Sequence, residues 1–237
     1  MTSNSHRRNN RLNELDFARG LAIVFMTIFH LIVDLTDVYS YNLEYLQGFW
    51  YWVGKAAAVL FIFLCGLSST FSHDPTGHGI HIFMWGMVLT AITYVYNSDF
   101  YIHFGILHFL GTSLLLSPLA AALKPRWLAI VSASAFIMGI LLTTRFTDIP
   151  YLFPLGLQTQ TFTSLDYYPL FPWYGFFAAG IFCGKTCYED RQPLFSLSFP
   201  QPVLWLGQHS LAIYLLHQPI LLAILYGLHQ LLYAVWG

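Results

Sequence analysis

The sequence predicts an all-α, polytopic membrane protein of about seven transmembrane helices, with its N-terminus cytoplasmic and its C-terminus outside. Three observations carry that expectation. Of the 237 residues, 57% are hydrophobic and only 9% are charged, against about a quarter charged in a soluble domain. Mean hydropathy is +0.58. Apolar runs near the ~20 residues needed to cross a bilayer recur along the chain. A soluble core of this size cannot hide so much apolar surface, so the lipid bilayer is the first partner and the cell membrane the expected location. The formal net charge of -1 offers no basic excess of the kind nucleic acid attracts.

Seven segments qualify as spans: roughly 17–36, 50–71, 79–96, 103–122, 127–143, 171–187 and 203–234. The last is long enough to tilt or to include an interfacial piece. Ahead of the first lies a polar, basic stretch, expected to be a disordered cytoplasmic tail over residues 1–14. The apolar run after it ends in "VDLTD" and not at a small-residue cleavage site, which reads as a retained helix. Breaks rich in Pro, Gly and polar residues separate the spans, the longest being "TTRFTDIPYLFPLGLQTQTFTSLDYYP". A loop of that length in a compact protein is often functional. Cys65, Cys183 and Cys187 fit neither a disulfide framework nor a zinc motif and read as small buried hydrophobes. No metal is expected.

Orientation follows from Lys and Arg. With seven spans one side carries Arg7, Arg8, Arg11, Arg19, Lys124, Arg126, Lys185 and Arg191, and the other only Lys55 and Arg145. The basic side should be cytoplasmic.

Polar groups inside the spans are costly in hydrocarbon and mark candidate sites. Arg19 and His30 are eleven residues apart, which on a helix is within ~20° of one direction and about 16 Å of rise. Asp34 follows His30 by four on the same face. A carboxylate there can hold an imidazole tautomer, as a general base requires. Snorkelling of Arg19 and a structural hydrogen bond of His30 are the plainer alternatives. His108 in "HFGILHFLG" and His217 in "HSLAIYLLHQP" also sit in apolar surroundings, the latter just before Pro219. Both could converge with His30 on a central cavity, and each also reads as a satisfied structural histidine. Asp166, in "SLDYYPLFPWYGFFAAG", is a candidate second polar partner at the outer surface, where the surrounding aromatics equally suit an interfacial belt.

Five ordered stretches, "ELDFARGLAIVFMTIFHLIVDL", "LFIFLCGLSS", "FGILHFLG", "DYYPLFPWYGFFAAG" and "LGQHSLAIYLLHQPIL", together resemble the heparan-α-glucosaminide N-acetyltransferase catalytic-domain family in its short prokaryotic form. The arginine–ten residues–histidine spacing is similar to that of the wider transmembrane acyltransferase group. The resemblance implies a single transmembrane acyltransferase domain over residues 15–237. It further implies cytoplasmic acetyl-CoA (acyl-CoA) as co-substrate and a sugar or glycolipid acceptor on the far side. Arg19 would then help hold the CoA end of the donor and His30 would be catalytic. Asp34, Asp166, His108 and His217 would complete the catalytic set. The anionic CoA phosphates would be drawn to Arg19, Arg11, Lys124, Arg126 and Lys185. One departure stands out. The lysosomal heparan enzymes carry asparagine where this chain has His30 and place their active histidine later, in an outer loop. Here that later region reads "VYSYNLEY", which argues against heparan itself as substrate.

Two other classes remain open on the residues alone. The histidines and acids could relay protons in a transporter or channel, or His30, His108 and His217 could ligate a haem or metal. A second protomer, as in a homodimer, could be needed to close the cavity.

Overall fold

A computed structural model describes residues 12–195 and 197–236. Among them the chain is helical, with two isolated β-bridges. The helices are α1 (Asn13–Asp37), α2 (Gly48–Ser69), α3 (Pro75–Tyr96), α4 (Ile106–Ala122), α5 (Pro125–Thr143), α6 (Leu170–Thr186), α7 (Gln201–Gln208) and α8 (Ser210–Trp236), with a short 3-10 helix at Pro150–Leu155. The expected all-α membrane class holds. Five helices, α1, α2, α3, α5 and α8, are long and apolar enough to cross a bilayer. The other two predicted spans fold as α4 and α6, at 17 residues each. The segment expected at 203–234 divides at His209 into the short α7 and the long α8. Of the expected tail, residues 1–11 lie outside the described residues, Arg11 among them, while Asn13 and Glu14 already belong to α1.

The chain divides into two compact units. The first joins the two ends of the sequence, residues up to Phe61 and from Arg191 onward. Its N-terminal half of α1 is pressed against α7, because Gly20 and Gly207 permit backbone contact. A Cβ on Gly207 would sit 1.8 Å from the Asp16 carbonyl oxygen, and one on Gly20 2.1 Å from that of Val203. Buried Glu14 seals the same corner: its two carboxylate oxygens accept from the backbone N–H of Leu194 and Phe195 at 3.0 and 2.9 Å. Phe17 stacks on Phe199 with ring centroids 4.7 Å apart. The C-terminal half of α1 runs beside α8. The segment 38–47 then folds back on the end of α1. Tyr41 N–H donates to the Leu35 carbonyl, the Thr36 hydroxyl to that of Leu43, and the Tyr45 hydroxyl to the Asp37 carboxylate.

The second unit spans Ile62–Asp190. Here α3 lies on α4 through Gly79 and Gly111, and α5 lies on α6, where the Ser132 hydroxyl donates to the Gly175 carbonyl at 2.8 Å. The end of α2 meets α6 at Gly66 and Gly180, each too close to a facing backbone carbonyl for any side chain. Phe109, Leu110, Phe177 and Ile181 fill the interior. The long loop 144–169 is ordered by an aromatic cluster of its own. His103 stacks on Tyr101 (3.9 Å) and contacts Phe153 and Phe162, Phe153 stacks on Phe162, and the Tyr167 hydroxyl donates to the Phe153 carbonyl. Packing of this loop on residues 101–106 explains why helix α4 begins at Ile106, three residues later than the hydropathy suggests.

Candidate active site

The first unit gathers four polar side chains where α1 passes α8. His30 and His217 lie ring to ring, with centroids 4.7 Å apart and planes tilted by 58°. One turn along α1, Asp34 Oδ1 accepts from Gln218 Nε2 at 2.6 Å. Asp34 is 4% exposed and His217 8% exposed. Such burial among apolar helices is unfavourable unless polar atoms are paired, yet three atoms here have no hydrogen-bond partner: Asp34 Oδ2, Gln218 Oε1 and His217 Nε2. All three face the problem of a polar atom held where neither water nor a side-chain donor reaches it.

The His217 ring has a fixed proton arrangement. Its Nδ1 lies 2.5 Å from the Tyr214 carbonyl oxygen. A carbonyl only accepts, so Nδ1 carries the hydrogen and, in the neutral ring, Nε2 keeps its lone pair. The expected local arrangement on α1 differs in one respect. Asp34 was expected to orient His30 along the helix, and the hydrogen bond it makes instead crosses to Gln218 on α8. The histidine beside His30 comes from the far end of the sequence, which no spacing along α1 could reveal. Gln218 was not among the residues the sequence singled out. The available signal was its position in "LLHQP", an amide between a histidine and a helix-interior proline.

Arg19 lies in the second turn of α1, in the same unit. Its Nη1 donates to Asp16 Oδ1 at 2.5 Å, Asp16 being 2% exposed and the arginine side chain 23%. The guanidinium is thus anchored by a buried carboxylate one turn back.

The second unit holds His108 and Asp166, which make hydrogen bonds at the start of α4. Asp166 Oδ2 accepts from the Ile106 N–H at 2.9 Å, capping the start of α4 from sixty residues away in sequence. His108, 2% exposed, has both ring nitrogens occupied. The Gly105 N–H points to its Nδ1 (3.3 Å), and Nε2 lies 3.3 Å from Thr90 Oγ1, whose own hydrogen goes to the Ile102 carbonyl. Nδ1 therefore accepts and Nε2–H donates. Lys185 also turns inward: its Nζ donates to the carbonyls of Ala121 and Leu123 at 2.6 and 2.7 Å, satisfying the end of α4. This brings Lys185 to the α4–α5 turn that carries the exposed Lys124 and Arg126. An ammonium has three donors, so one of Lys185's is left for another acceptor.

No curated protein and no solved structure matches the chain. A family model does: residues 11–219 match the model described as heparan-alpha-glucosaminide N-acetyltransferase, catalytic. That range contains α1 to α7 and the part of α8 bearing His217 and Gln218, and the chain accordingly belongs to this acetyltransferase family.

Proposed function

We propose that the protein is an integral membrane acyltransferase that moves an acetyl group from cytoplasmic acyl-CoA to a sugar or glycolipid acceptor at the outer face, with His30 as general base. The observation that carries this reading is the His30–His217 contact beside the hydrogen bond from half-buried Gln218 to buried Asp34. A core assembled for stability alone satisfies its buried polar atoms, and this one leaves three unsatisfied.

In the proposed step the acceptor hydroxyl or amine attacks the thioester carbonyl carbon. His30 takes the proton the acceptor loses, the carbon–sulfur bond breaks, and the departing CoA sulfur takes that proton from His30, which returns to its neutral form as the thiol leaves. His217 lies against His30 and spreads the positive charge that the proton brings. Arg19, Arg11, Lys124, Arg126 and Lys185 would hold the CoA phosphates. Seven spans with the N-terminus inside would put these cations on the donor side, as the Lys and Arg distribution supports.

The test titrates purified protein with acetyl-CoA, following binding and slow thioester hydrolysis, and compares His30→Ala and Arg19→Ala. Saturable binding is expected, weakened in Arg19→Ala, with transfer abolished in folded His30→Ala. Transfer surviving in His30→Ala removes that residue from the mechanism. Absence of binding at any concentration returns the buried acids and histidines to a proton-coupled transport role, checked as solute flux in liposomes without acyl donor.

A further inference from the structure

Two contacts tie α1 to α8, one turn apart. His30 and Asp34, about 6 Å apart along the axis of α1, meet His217 and Gln218, which are neighbours in α8. The first contact is ring to ring, with centroids 4.7 Å apart. The second is the hydrogen bond from Gln218 Nε2 to Asp34 Oδ1 at 2.6 Å. They differ in how strictly they fix a position. Contact between ring surfaces is largely non-directional, while a hydrogen bond is lost on a shift of about 1 Å or a loss of alignment. This stretch of α8 is otherwise loosely specified. Pro219 offers no N–H to the Leu215 carbonyl, so the turn bearing His217 lacks one of its own helical bonds. Where α1 meets α7, Gly20 and Gly207 bring the backbones together, whereas Gly227 of α8 has nothing within 4 Å of an added Cβ. The His217 ring is tied to its own helix, Nδ1 to the Tyr214 carbonyl, and goes where α8 carries it. Its place beside His30 therefore depends on the rotation and height of α8.

Resting on the acyltransferase reading, we infer that Gln218 is a positioning residue for that reaction: its bond to Asp34 sets the rotation and height of α8 and so holds His217 against His30. Asp34 then serves the histidine pair from across the helix contact, by accepting the Gln218 amide, and a neutral acceptor in its place does the same work. When His30 takes the proton, the imidazolium needs its neighbour in place at that moment. With the bond gone, α8 turns and shifts about Pro219 and the two rings part. The cost falls on the chemical step. Donor binding is untouched, because the cations assigned to the CoA phosphates lie elsewhere in the chain.

The experiment follows release of the CoA thiol from acetyl-CoA by the full-length protein in lipid nanodiscs, with water as the acceptor. In Gln218→Leu, kcat falls about tenfold or more, the weight of a hydrogen bond to a charged group, while KM for acetyl-CoA stays as in the parent. In a His217→Ala background the same substitution costs nothing further, since Gln218 acts only through His217. A general loss of folded protein would instead multiply with the His217 effect. Asp34→Asn recovers most of the kcat lost in Asp34→Leu, because the Asn Oδ1 still accepts from the Gln218 amide. Three results each overturn the positioning role: a rise in KM with kcat unchanged, multiplying losses in the double variant, or Asp34→Asn as poor as Asp34→Leu. Failure of the unmodified protein to bind acetyl-CoA, or binding without any hydrolysis, overturns the acyltransferase reading itself, so the two failures are separable.

Discussion

His217 and His108 look alike in sequence and are opposites in structure. Both sit in apolar helices and both are more than nine-tenths buried. His108 gives each ring nitrogen a partner, Gly105 N–H on one side and the Thr90 hydroxyl on the other, and so closes the start of α4. His217 commits Nδ1 to the Tyr214 carbonyl and leaves Nε2 without a partner, its ring beside that of His30. Asp34 and Asp166 repeat the contrast. Asp166 caps a helix with one oxygen, while Asp34 reaches across to α8 and keeps its second oxygen unpartnered. A buried polar group whose hydrogen bonds are complete is doing structural work. One left incomplete at a stability cost calls for a second explanation.

The sharpest way to break the comparison is to remove each histidine in turn. Replacing His30 by Ala should lower acetyl transfer by about 10²–10⁴-fold, the usual weight of a general base, with the folded fraction by size-exclusion chromatography preserved. His217→Ala should fall in the same direction. His108→Ala should reverse the balance. Transfer per folded molecule changes little, and the protein loses about 1–3 kcal/mol as the Gly105 N–H and Thr90 lose their partner, read as a lower melting midpoint in the same detergent. Equal catalytic loss at His108 and His30 would erase the distinction drawn between them.

The next largest effect tests whether the first unit's polar cluster depends on helix approach. Gly207→Val places a side chain where even a Cβ would lie 1.8 Å from the Asp16 carbonyl oxygen. The α1–α7 contact must open, at a cost of about 1–3 kcal/mol or more. Gly227→Val on exposed α8, where nothing lies within 4 Å of the added Cβ, is the matched control and should melt as the parent does. A smaller loss, about 1–2 kcal/mol, is expected for Lys185→Met, which leaves the carbonyls of Ala121 and Leu123 without their donor. If acetyl-CoA affinity drops as well, Lys185's third donor reaches the CoA phosphates.

Much of this was legible in the sequence, and the residues explain what was not. Hydropathy located each long helix because bilayer thickness sets a length that local composition reports directly. The same-face spacing of Arg19, His30 and Asp34 followed from helical periodicity alone. Partners from distant segments did not: Gln218 for Asp34, His217 for His30, Asp166 for the N–H of Ile106. Each depends on which helices pack together, and periodicity within one helix carries no record of its neighbour. The start of α4 was placed early for the same reason, since its cap comes from a loop sixty residues on. The sequence places Lys185 among the cations of the basic side, and nothing local announces that it turns back onto the end of another helix.

The mildest prediction concerns two tyrosines outside the spans. Tyr167 donates to a backbone carbonyl, Phe153, which has no charge, and burial raises its pKa. Tyr45 donates to both oxygens of the Asp37 carboxylate at 2.9 and 2.7 Å, tying the segment 38–47 to the end of α1. Burial, then the hydrogen bond to Asp37 and its charge, push the Tyr45 pKa from 10.0 up to about 12. A phenol whose pKa is raised by folding holds its proton longer in the folded chain than in the unfolded one. Its contribution is therefore complete below about pH 10, where both states are protonated, and is lost as pH rises from 10 through 12. Tyr45→Phe removes the hydroxyl and should flatten that part of the stability–pH curve, with little change in melting at pH 7 because the pair is largely solvent-exposed. The measurement is the melting midpoint between pH 8 and 11.5 for parent and variant. Parallel curves would mean that the Asp37 contact does not hold the segment, and that Phe29, edge-on to the Tyr45 ring with centroids 6.3 Å apart, anchors it by packing alone.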